Sequence, residues 1–238
     1  MTLALTPVDV LAFGPHPDDI EIGIGATLAK HSALGHRVGL SDLTAGEMGS
    51  NGTVEERLAE AEAARAVLGA AWRTNLRLPD RGIGSDPGHA GIVVDLVRRV
   101  RPRVVLLPYW SDRHPDHEAA SRLLTDAVFS AGLRRYPVAG DAWKPASICY
   151  YFINDAAPPS FVVNVSEYYE IKRRALACHV TQFSPAGEDA VATRLTSERF
   201  RQLIESRDAQ FGAQVGVAFA EGIVVREPVV REHLLDRG

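Results

Sequence analysis

Short apolar runs alternate with longer amphipathic stretches along the first half of the chain. Buried strands are predicted at four of the apolar runs, namely residues 8–14, 38–43, 72–78 and 104–107. Helices are predicted at three of the amphipathic stretches, namely residues 20–34, 53–68 and 92–101. This alternation, with short connections, is typical of right-handed βαβ units around a mostly parallel sheet.

Local signals mark the ends of these helices. Gly35 and Gly69 follow the first two, in the position where glycine ends a helix. Thr53 and Glu56 are spaced as in a capping box at the start of the second helix. Three arginines lie at the predicted end of the third helix, where positive charge interacts favourably with the negative end of the helix dipole. They are Arg98, Arg99 and Arg101.

The second half of the chain is less regular. Strands are predicted at residues 147–153, 161–165 and, as a strand or strand-like tail, 215–225. Helices are predicted over residues 167–178 and 197–211. No repeat, linker or low-complexity tract marks a boundary, so residues 1–238 are expected to form a single domain of the α/β class, with a mostly parallel, Rossmann-like sheet flanked by helices.

Composition narrows the classes of function. Hydrophobic residues make up 46% of the chain and charged residues 24%, which argues against disorder. The formal net charge is −4 and basic residues do not cluster, so no nucleic-acid partner is expected. No apolar run reaches the length of a membrane span, and residues 1–10 lack the features of a signal peptide. We therefore expect a cytoplasmic protein with no membrane partner.

Two short segments contain the same chemical groups. His16-Pro17-Asp18-Asp19 follows the first predicted strand, and His114-Pro115-Asp116-His117 follows the fourth. The carboxyl ends of parallel strands meet at one edge of a sheet, which is where ligands bind in this class. The polar loop 44–52 follows the second predicted strand at the same edge. We expect all three segments to share one site.

Imidazole and carboxylate groups in this pattern indicate a metal site. His16 and Asp19 are three residues apart, as are His114 and His117, so each pair shares one face of a helical turn. Nitrogen and oxygen ligands suit zinc with one position left for water. The spacing does not decide whether His114 or His117 holds the metal. The alternative is that the carboxylates only cap helices, in a nucleotide-binding module; however, the first strand–helix turn lacks the glycine-rich fingerprint.

The segment 13–23, Phe-Gly-Pro-His-Pro-Asp-Asp-Ile-Glu-Ile-Gly, resembles the signature of the zinc-dependent N-acetylglucosaminyl deacetylases of the PIG-L and LmbE-like family. The segment 113–117 resembles their second motif. Five further segments resemble the branch of this family that makes bacillithiol, the N-acetylglucosaminyl-malate deacetylases. These segments are residues 42–47, 51–53, 57, 179–183 and 220–222. The resemblance covers about residues 8–228 and implies an LmbE-like fold.

The resemblance also implies roles for single residues. It implies zinc ligands at His16, Asp19 and His117, with Fe²⁺ or another divalent ion as the alternative. It implies Asp18 as the general base, protonated His114 as the group that polarises the carbonyl, and Asp116 as the group that orients His114. Phe219 stands where some relatives are expected to carry tyrosine. By analogy, a homo-oligomer is expected, with a hexamer as the form common among relatives.

The resemblance implies hydrolysis of the acetamide of N-acetyl-α-D-glucosaminyl L-malate, a small glycoside. Arginine guanidinium groups bind carboxylates with two parallel hydrogen bonds, so Arg113 is interpreted as a contact to the malate. Arg57 is interpreted as a contact to a sugar hydroxyl or to the backbone. Arg57 has the alternative of pairing with Glu60 on a helix surface. Other substrates in the same family remain open: thiol S-conjugates, cleaved by an amidase, and N-acetylglucosamine or chitooligosaccharides.

Overall fold

The computed structural model of the chain describes residues 5–230 and residue 233. The first half contains β1 (Val10–Gly14), α1 (Asp19–Ala33), β2 (Val38–Thr44), α2 (Val54–Leu68), β3 (Trp72–Leu78), α3 (Gly88–Val100), β4 (Val104–Pro108) and α4 (Pro115–Ala131). The second half contains β5 (Ser147–Tyr151), β6 (Phe161–Asn164), a 3₁₀ turn (Ser166–Tyr168), α5 (Tyr169–Ala177), α6 (Val180–Phe183), α7 (Glu198–Val215) and β7 (Ala220–Val224).

The strands form one seven-stranded sheet in the order β3-β2-β1-β4-β5-β7-β6. The pairs among β3, β2, β1, β4 and β5 are parallel, whereas β7 runs antiparallel to both β5 and β6. Helices pack on both faces of the sheet, and all residues of β1, β2 and β7 are buried. The predicted α/β class with a mostly parallel, helix-flanked sheet is confirmed. Helices cover both faces because parallel sheets are normally buried on both sides.

Several element boundaries differ from those predicted. The helix α4 is not assigned by the sequence patterns, although Pro115 stands at its start, where proline is compatible with a helix. The helix α3 begins before residue 92, and Arg101 lies just beyond its end with φ at 49°. The predicted strand 215–225 is too long, since Val215 belongs to α7 and Gly216 ends that helix with φ at 76°.

The order of the strands determines which loops meet. Strands β1 and β4 are neighbours at the centre of the sheet, with Val10 level with Val104. The loops that follow them therefore lie side by side at the carboxyl edge. Among the described residues, no helix combines the length and the apolarity needed to cross a membrane.

Candidate active site

The two predicted clusters meet at the carboxyl edge of the sheet. Helix α1 begins at Asp19, the last residue of the first cluster, and the second cluster forms the start of α4. The ring centroid of His16 lies 5.0 Å from that of His114 and 5.6 Å from that of His117. Since β1 and β4 are neighbours, their loops bring together residues about a hundred positions apart in the sequence.

One group of three side chains is arranged as a metal-ligand set. The Oδ2 atom of Asp19 lies 3.0 Å from Nδ1 of His16 and 3.3 Å from Nε2 of His117. One ligand atom from each of these residues lies within 4.8 Å of the others. The same distance limit is met by a second group, which consists of His16, His114 and Asp116.

The remaining ring nitrogens distinguish the two groups. Nδ1 of His117 lies 3.0 Å from a carboxylate oxygen of Asp112. Nε2 of His16 lies 3.3 Å from Asp80 and 3.5 Å from Asp116. Histidines that bind a metal usually donate their other N–H group to a carboxylate, which fixes the ring and its tautomer. This pattern is present in the group formed by His16, Asp19 and His117.

Sequence reasoning missed Asp80 and Asp112. Their positions in the sequence could have indicated both. Asp80 comes just after β3, at the same edge of the sheet, and Asp112 lies two residues before His114. Asp112 is also held by the backbone and side-chain amides of Asn154, both at 2.9 Å.

The electrostatics of the cluster favour a cation. Burial opposes protonation of His117, but the charge of Asp19 and the hydrogen bond to Asp112 raise its pKa to about 9. Burial likewise opposes protonation of His16, yet hydrogen bonds to Asp116, Asp19 and Asp80 raise its pKa well above the ordinary value. An excess of carboxylate around two imidazoles attracts positive charge, so these residues fit a divalent metal ion.

Asp18 lies beside this group and is buried. Burial raises the pKa of its carboxyl, and the nearby charge of Arg57 opposes that rise. Its Oδ2 atom is 3.6 Å from Nη2 of Arg57 and has no hydrogen-bond partner among the described residues. A buried carboxylate with an available oxygen and a raised pKa is suited to accept a proton.

The local geometry of His114 favours a neutral imidazole, whereas the resemblance implies a protonated one; its role in catalysis stays a prediction. The Nδ1 atom of His114 accepts a hydrogen bond of 3.2 Å from the backbone N–H of Asp116, as the N-cap of α4. A ring nitrogen that accepts carries no proton, so the imidazole is neutral and its Nε2 atom carries the N–H group. Burial also lowers the pKa of His114, in agreement with this tautomer.

The role expected for Asp116, orienting His114, stays a prediction, and its contacts are as follows. Its backbone N–H donates a hydrogen bond of 3.2 Å to Nδ1 of His114. The carboxylate accepts hydrogen bonds from the backbone N–H of Arg81 at 2.9 Å and from the guanidinium of Arg81 at 3.1 Å, and it faces His16. Asp116 therefore links the loop after β3 to the cluster.

Arg57 is buried against the loop after β2 and does not pair with Glu60. Its Nη1 atom donates a hydrogen bond of 2.8 Å to the carbonyl of Gly46. Gly46 has φ at 68°, and a Cβ atom there would collide with that Nη1 atom, so only glycine fits. Glu60 instead accepts two hydrogen bonds of 2.7 Å from Thr181. The loop and Asp18 are thus positioned by the same guanidinium.

A network of buried charges lies behind the cluster. Arg73 donates to both oxygens of Asp42 at 2.7 Å and to Glu21 at 2.6 Å. Glu21 belongs to the first turn of α1, next to Asp18 and Asp19. The buried ring of His179 lies beside it, with Nε2 at 3.4 Å from Glu21. The network connects the start of α1 to β2 and β3.

The ligand group, Asp18, His114 and Arg57 line a cleft of about 450 Å³. Its floor is formed by the ligand group and Asp18. Three exposed arginines line it as well, at Arg81, Arg113 and Arg194. Phe219 is not among the lining residues, because its ring stacks on Tyr169 with 3.8 Å between centroids. The cleft is large enough for a ligand of one or two sugar rings.

Comparisons with known proteins agree with this arrangement. The family described as PIG-L: GlcNAc-PI de-N-acetylase matches residues 11–128. A diacetylchitobiose deacetylase of Thermococcus kodakarensis is 31% identical, over 90% of this chain and 81% of the relative. A 1D-myo-inositol 2-acetamido-2-deoxy-alpha-D-glucopyranoside deacetylase of Rhodococcus opacus is 28% identical, over 72% of this chain and 80% of the relative.

A solved structure shows the same fold along almost the whole chain. The conserved protein TT1542 from Thermus thermophilus has a TM-score of 0.88 and 37% identity, and the match covers 97% of this chain and 100% of that one. The matched family region contains both His/Asp clusters. The chain therefore belongs to the PIG-L family and is an enzyme of the amide-hydrolysing, deacetylase type.

Proposed function

We propose that this chain is a metal-dependent deacetylase that hydrolyses the acetamide of an N-acetylglucosamine conjugate. The proposal is supported by the approach of the two clusters: His16, Asp19 and His117 lie close enough to hold one ion, and the buried carboxylate of Asp18 and the imidazole of His114 line the same cleft. Amide hydrolysis needs an activated water, a proton acceptor and a group that stabilises the oxyanion, and these residues supply each of them.

His16, Asp19 and His117 would hold the ion, and we propose zinc because two imidazoles and one carboxylate match its preferred ligands. Fe²⁺ accepts a similar set, so metal content has to be measured. When bound, such an ion acts as a Lewis acid that lowers the pKa of a water from ~15.7 toward ~7.

Asp18 is proposed as the general base. Its free Oδ2 atom accepts the proton of the attacking water and later delivers it to the leaving amine. Arg57 keeps the carboxylate in place, since it holds Asp18 on one side and the carbonyl of Gly46 on the other.

His114 is proposed to stabilise the oxyanion through its Nε2–H group. The backbone of Asp116 fixes the tautomer that presents this donor, so a neutral imidazole suffices. Loss of one such donor typically costs about 3–4 kcal/mol in the activation free energy.

The basic residues at the mouth of the cleft support a substrate with an anionic aglycone, such as N-acetylglucosaminyl L-malate, which the bacillithiol branch uses. Arg113 is exposed at this rim and is proposed as a malate contact, whereas Arg57 is too well buried for more than backbone and base positioning. The second candidate substrate is a chitooligosaccharide, favoured by the relative that is a diacetylchitobiose deacetylase. A cytoplasmic homo-oligomer, in particular a hexamer, stays a prediction that sedimentation and localisation experiments test.

The test is acetate release by purified protein. N-acetylglucosaminyl L-malate, N,N′-diacetylchitobiose and a bulky S-conjugate are compared before and after treatment with a chelator and after restoring Zn²⁺ or Fe²⁺. We expect release from the two N-acetylglucosaminyl substrates, its loss on chelation and its recovery with metal. Protein that is free of metal and still fully active would refute the proposal, and so would cleavage of the S-conjugate alone.

A further inference from the structure

The segment 184–197, here called the strap, connects α6 to α7 and contains no helix or strand. It forms part of the wall of the cleft through Arg194 and Leu195. The strap thus supplies side chains to a site that is otherwise built at the ends of strands. Loops of this kind commonly set specificity on a fixed scaffold.

A single buried side chain holds the strap on the loop after β2. The side-chain amide of Asn51 donates a hydrogen bond of 2.9 Å to the carbonyl of Val191 and accepts one of 2.9 Å from the N–H of the same residue. The backbone carbonyl of Asn51 accepts a further bond of 2.8 Å from Gln182 of α6. Asn51 is only 7% exposed, and both the NH₂ group and the oxygen of its side-chain amide are hydrogen-bonded to Val191.

The position of Arg194 follows from this attachment. Ser197 donates a hydrogen bond of 2.7 Å from its hydroxyl to the carbonyl of Arg194, which ties the end of the strap to the start of α7. The guanidinium of Arg194 lies 5.2 Å from the ring centroid of Phe200, another residue of the cleft wall. Arg194 is therefore held between Val191, fixed by Asn51, and Ser197, fixed by α7.

The charges of the cleft differ between its buried and exposed parts. Buried in it are the carboxylates of Asp18 and Asp19 with Arg57 beside Asp18, whereas the exposed lining carries three arginines, at Arg81, Arg113 and Arg194. Arg81 is paired with Asp116, but within residues 5–230 neither Arg113 nor Arg194 forms a salt bridge. A carboxylate would be attracted to the two unpaired arginines at the exposed rim.

We infer that Arg194 is a specificity-determining residue that binds the anionic aglycone of the substrate, and that Asn51 is the positioning residue that holds it over the cleft. This inference rests on the proposed deacetylase function and extends it, because it assigns a second basic contact from a separate segment of the chain. The ligand it requires is a carboxylate or another anion attached to the sugar.

The experiment compares Arg194→Gln, Asn51→Ala and the double variant on N-acetylglucosaminyl L-malate and on neutral N,N′-diacetylchitobiose. For an exposed charge pair we expect the KM for the malate glycoside to rise about fivefold, or about 1 kcal/mol, in Arg194→Gln. The kcat for the malate glycoside and both constants for diacetylchitobiose should stay unchanged. Arg199→Gln is the matched control, since Arg199 is also exposed nearby but does not line the cleft.

The double variant tests whether Asn51 acts through Arg194. If it does, the double variant should raise the KM for the malate glycoside no further than Arg194→Gln alone. Additive increases would refute the positioning role, and an equal loss on both substrates in Arg194→Gln would refute the specificity role.

Calorimetry separates this inference from the proposed function. Wild-type protein that binds the malate glycoside but releases no acetate from any N-acetylglucosaminyl substrate would refute deacetylation while leaving Arg194 to be judged by binding. Binding of the malate glycoside that is equal in wild type and Arg194→Gln, or absent in both, would overturn the inference.

Discussion

The substitution Arg73→Met removes the cation from a buried set of charges. Arg73 contacts Asp42 at 2.7 Å and Glu21 at 2.6 Å, and the side chains are 4%, 1% and 0% exposed, respectively. Methionine fills most of the space but pairs with neither carboxylate. Breaking a buried pair by removing one partner typically costs about 3–5 kcal/mol, because the remaining charge is uncompensated. We expect a loss of that size in the free energy of unfolding at pH 8.

The free energy of unfolding should also depend on pH, in a direction set by the shifted pKa values of Glu21 and Asp42. Burial alone would raise the pKa of Glu21, but the charge of Arg73 and the interactions with His179 together outweigh burial and lower the pKa to about 2. Asp42 shares the same guanidinium, and for this residue burial prevails and raises the pKa to about 6. Glu21 thus contributes stability that is present above its ordinary pKa of 4.5 and is lost as the pH falls toward 2. Asp42 contributes stability that is present below 3.8 and is lost as the pH rises through about 6.

Without Arg73, burial acts on both carboxyls with no guanidinium to oppose it, so both folded-state pKa values rise. Protonation then relieves the uncompensated charge, and the cost of Arg73→Met should shrink between pH 8 and pH 5. Urea unfolding monitored by tryptophan fluorescence at both pH values measures the free energies.

A surface arginine provides the matched control. Arg173 also contacts two carboxylates, Glu205 at 2.9 Å and Glu170 at 3.2 Å, but these side chains are 41%, 46% and 70% exposed. Exposed pairs contribute about 1 kcal/mol or less, so Arg173→Met should cost far less than Arg73→Met. The reasoning fails if both variants lose the same free energy at pH 8, or if the cost of Arg73→Met grows as the pH is lowered.

Three further predictions concern the cleft. Asp18→Asn should keep its metal in elemental analysis and lose about 10²–10⁴-fold in kcat, because no base remains; normal turnover would exclude Asp18 as the base. His117→Ala should be purified without metal, and full occupancy would remove His117 from the ligand set. Asp112→Asn should bind metal about 10–100-fold more weakly in a chelator competition, with activity restored by excess metal, since it takes the carboxylate from Nδ1 of His117; unchanged affinity would contradict its orienting role.

The local patterns of the chain are enough to predict much of the sheet. The run 8–14 contains β1, and the capping box of Thr53 and Glu56 forms at the start of α2 as predicted. These features depend on neighbours within one turn or one strand, so residue order alone specifies them. The two His/Asp clusters follow strands for the same reason, and their approach follows from the parallel topology.

Other parts of the site depend on contacts between distant residues. The bond from Arg73 to Glu21 joins positions 52 residues apart, and the one from Asn51 to Val191 joins positions 140 apart. No periodicity links such pairs, since they meet only after the strand order and the helix packing are established. The sequence also does not predict the tautomer of His114, because the tautomer depends on the backbone geometry at the start of α4.

The sequence by itself determined the chemistry available to this protein: which imidazoles and carboxylates follow which strands, and hence that a metal site can form. Only the tertiary structure decided how these groups are paired, with Asp112 and Asp80 behind the histidines and Arg57 beside Asp18. The physical reason is that residue types and helix or strand spacing are local properties. Burial, charge pairing and proton position are set by the neighbours that the folded chain brings within a few ångströms.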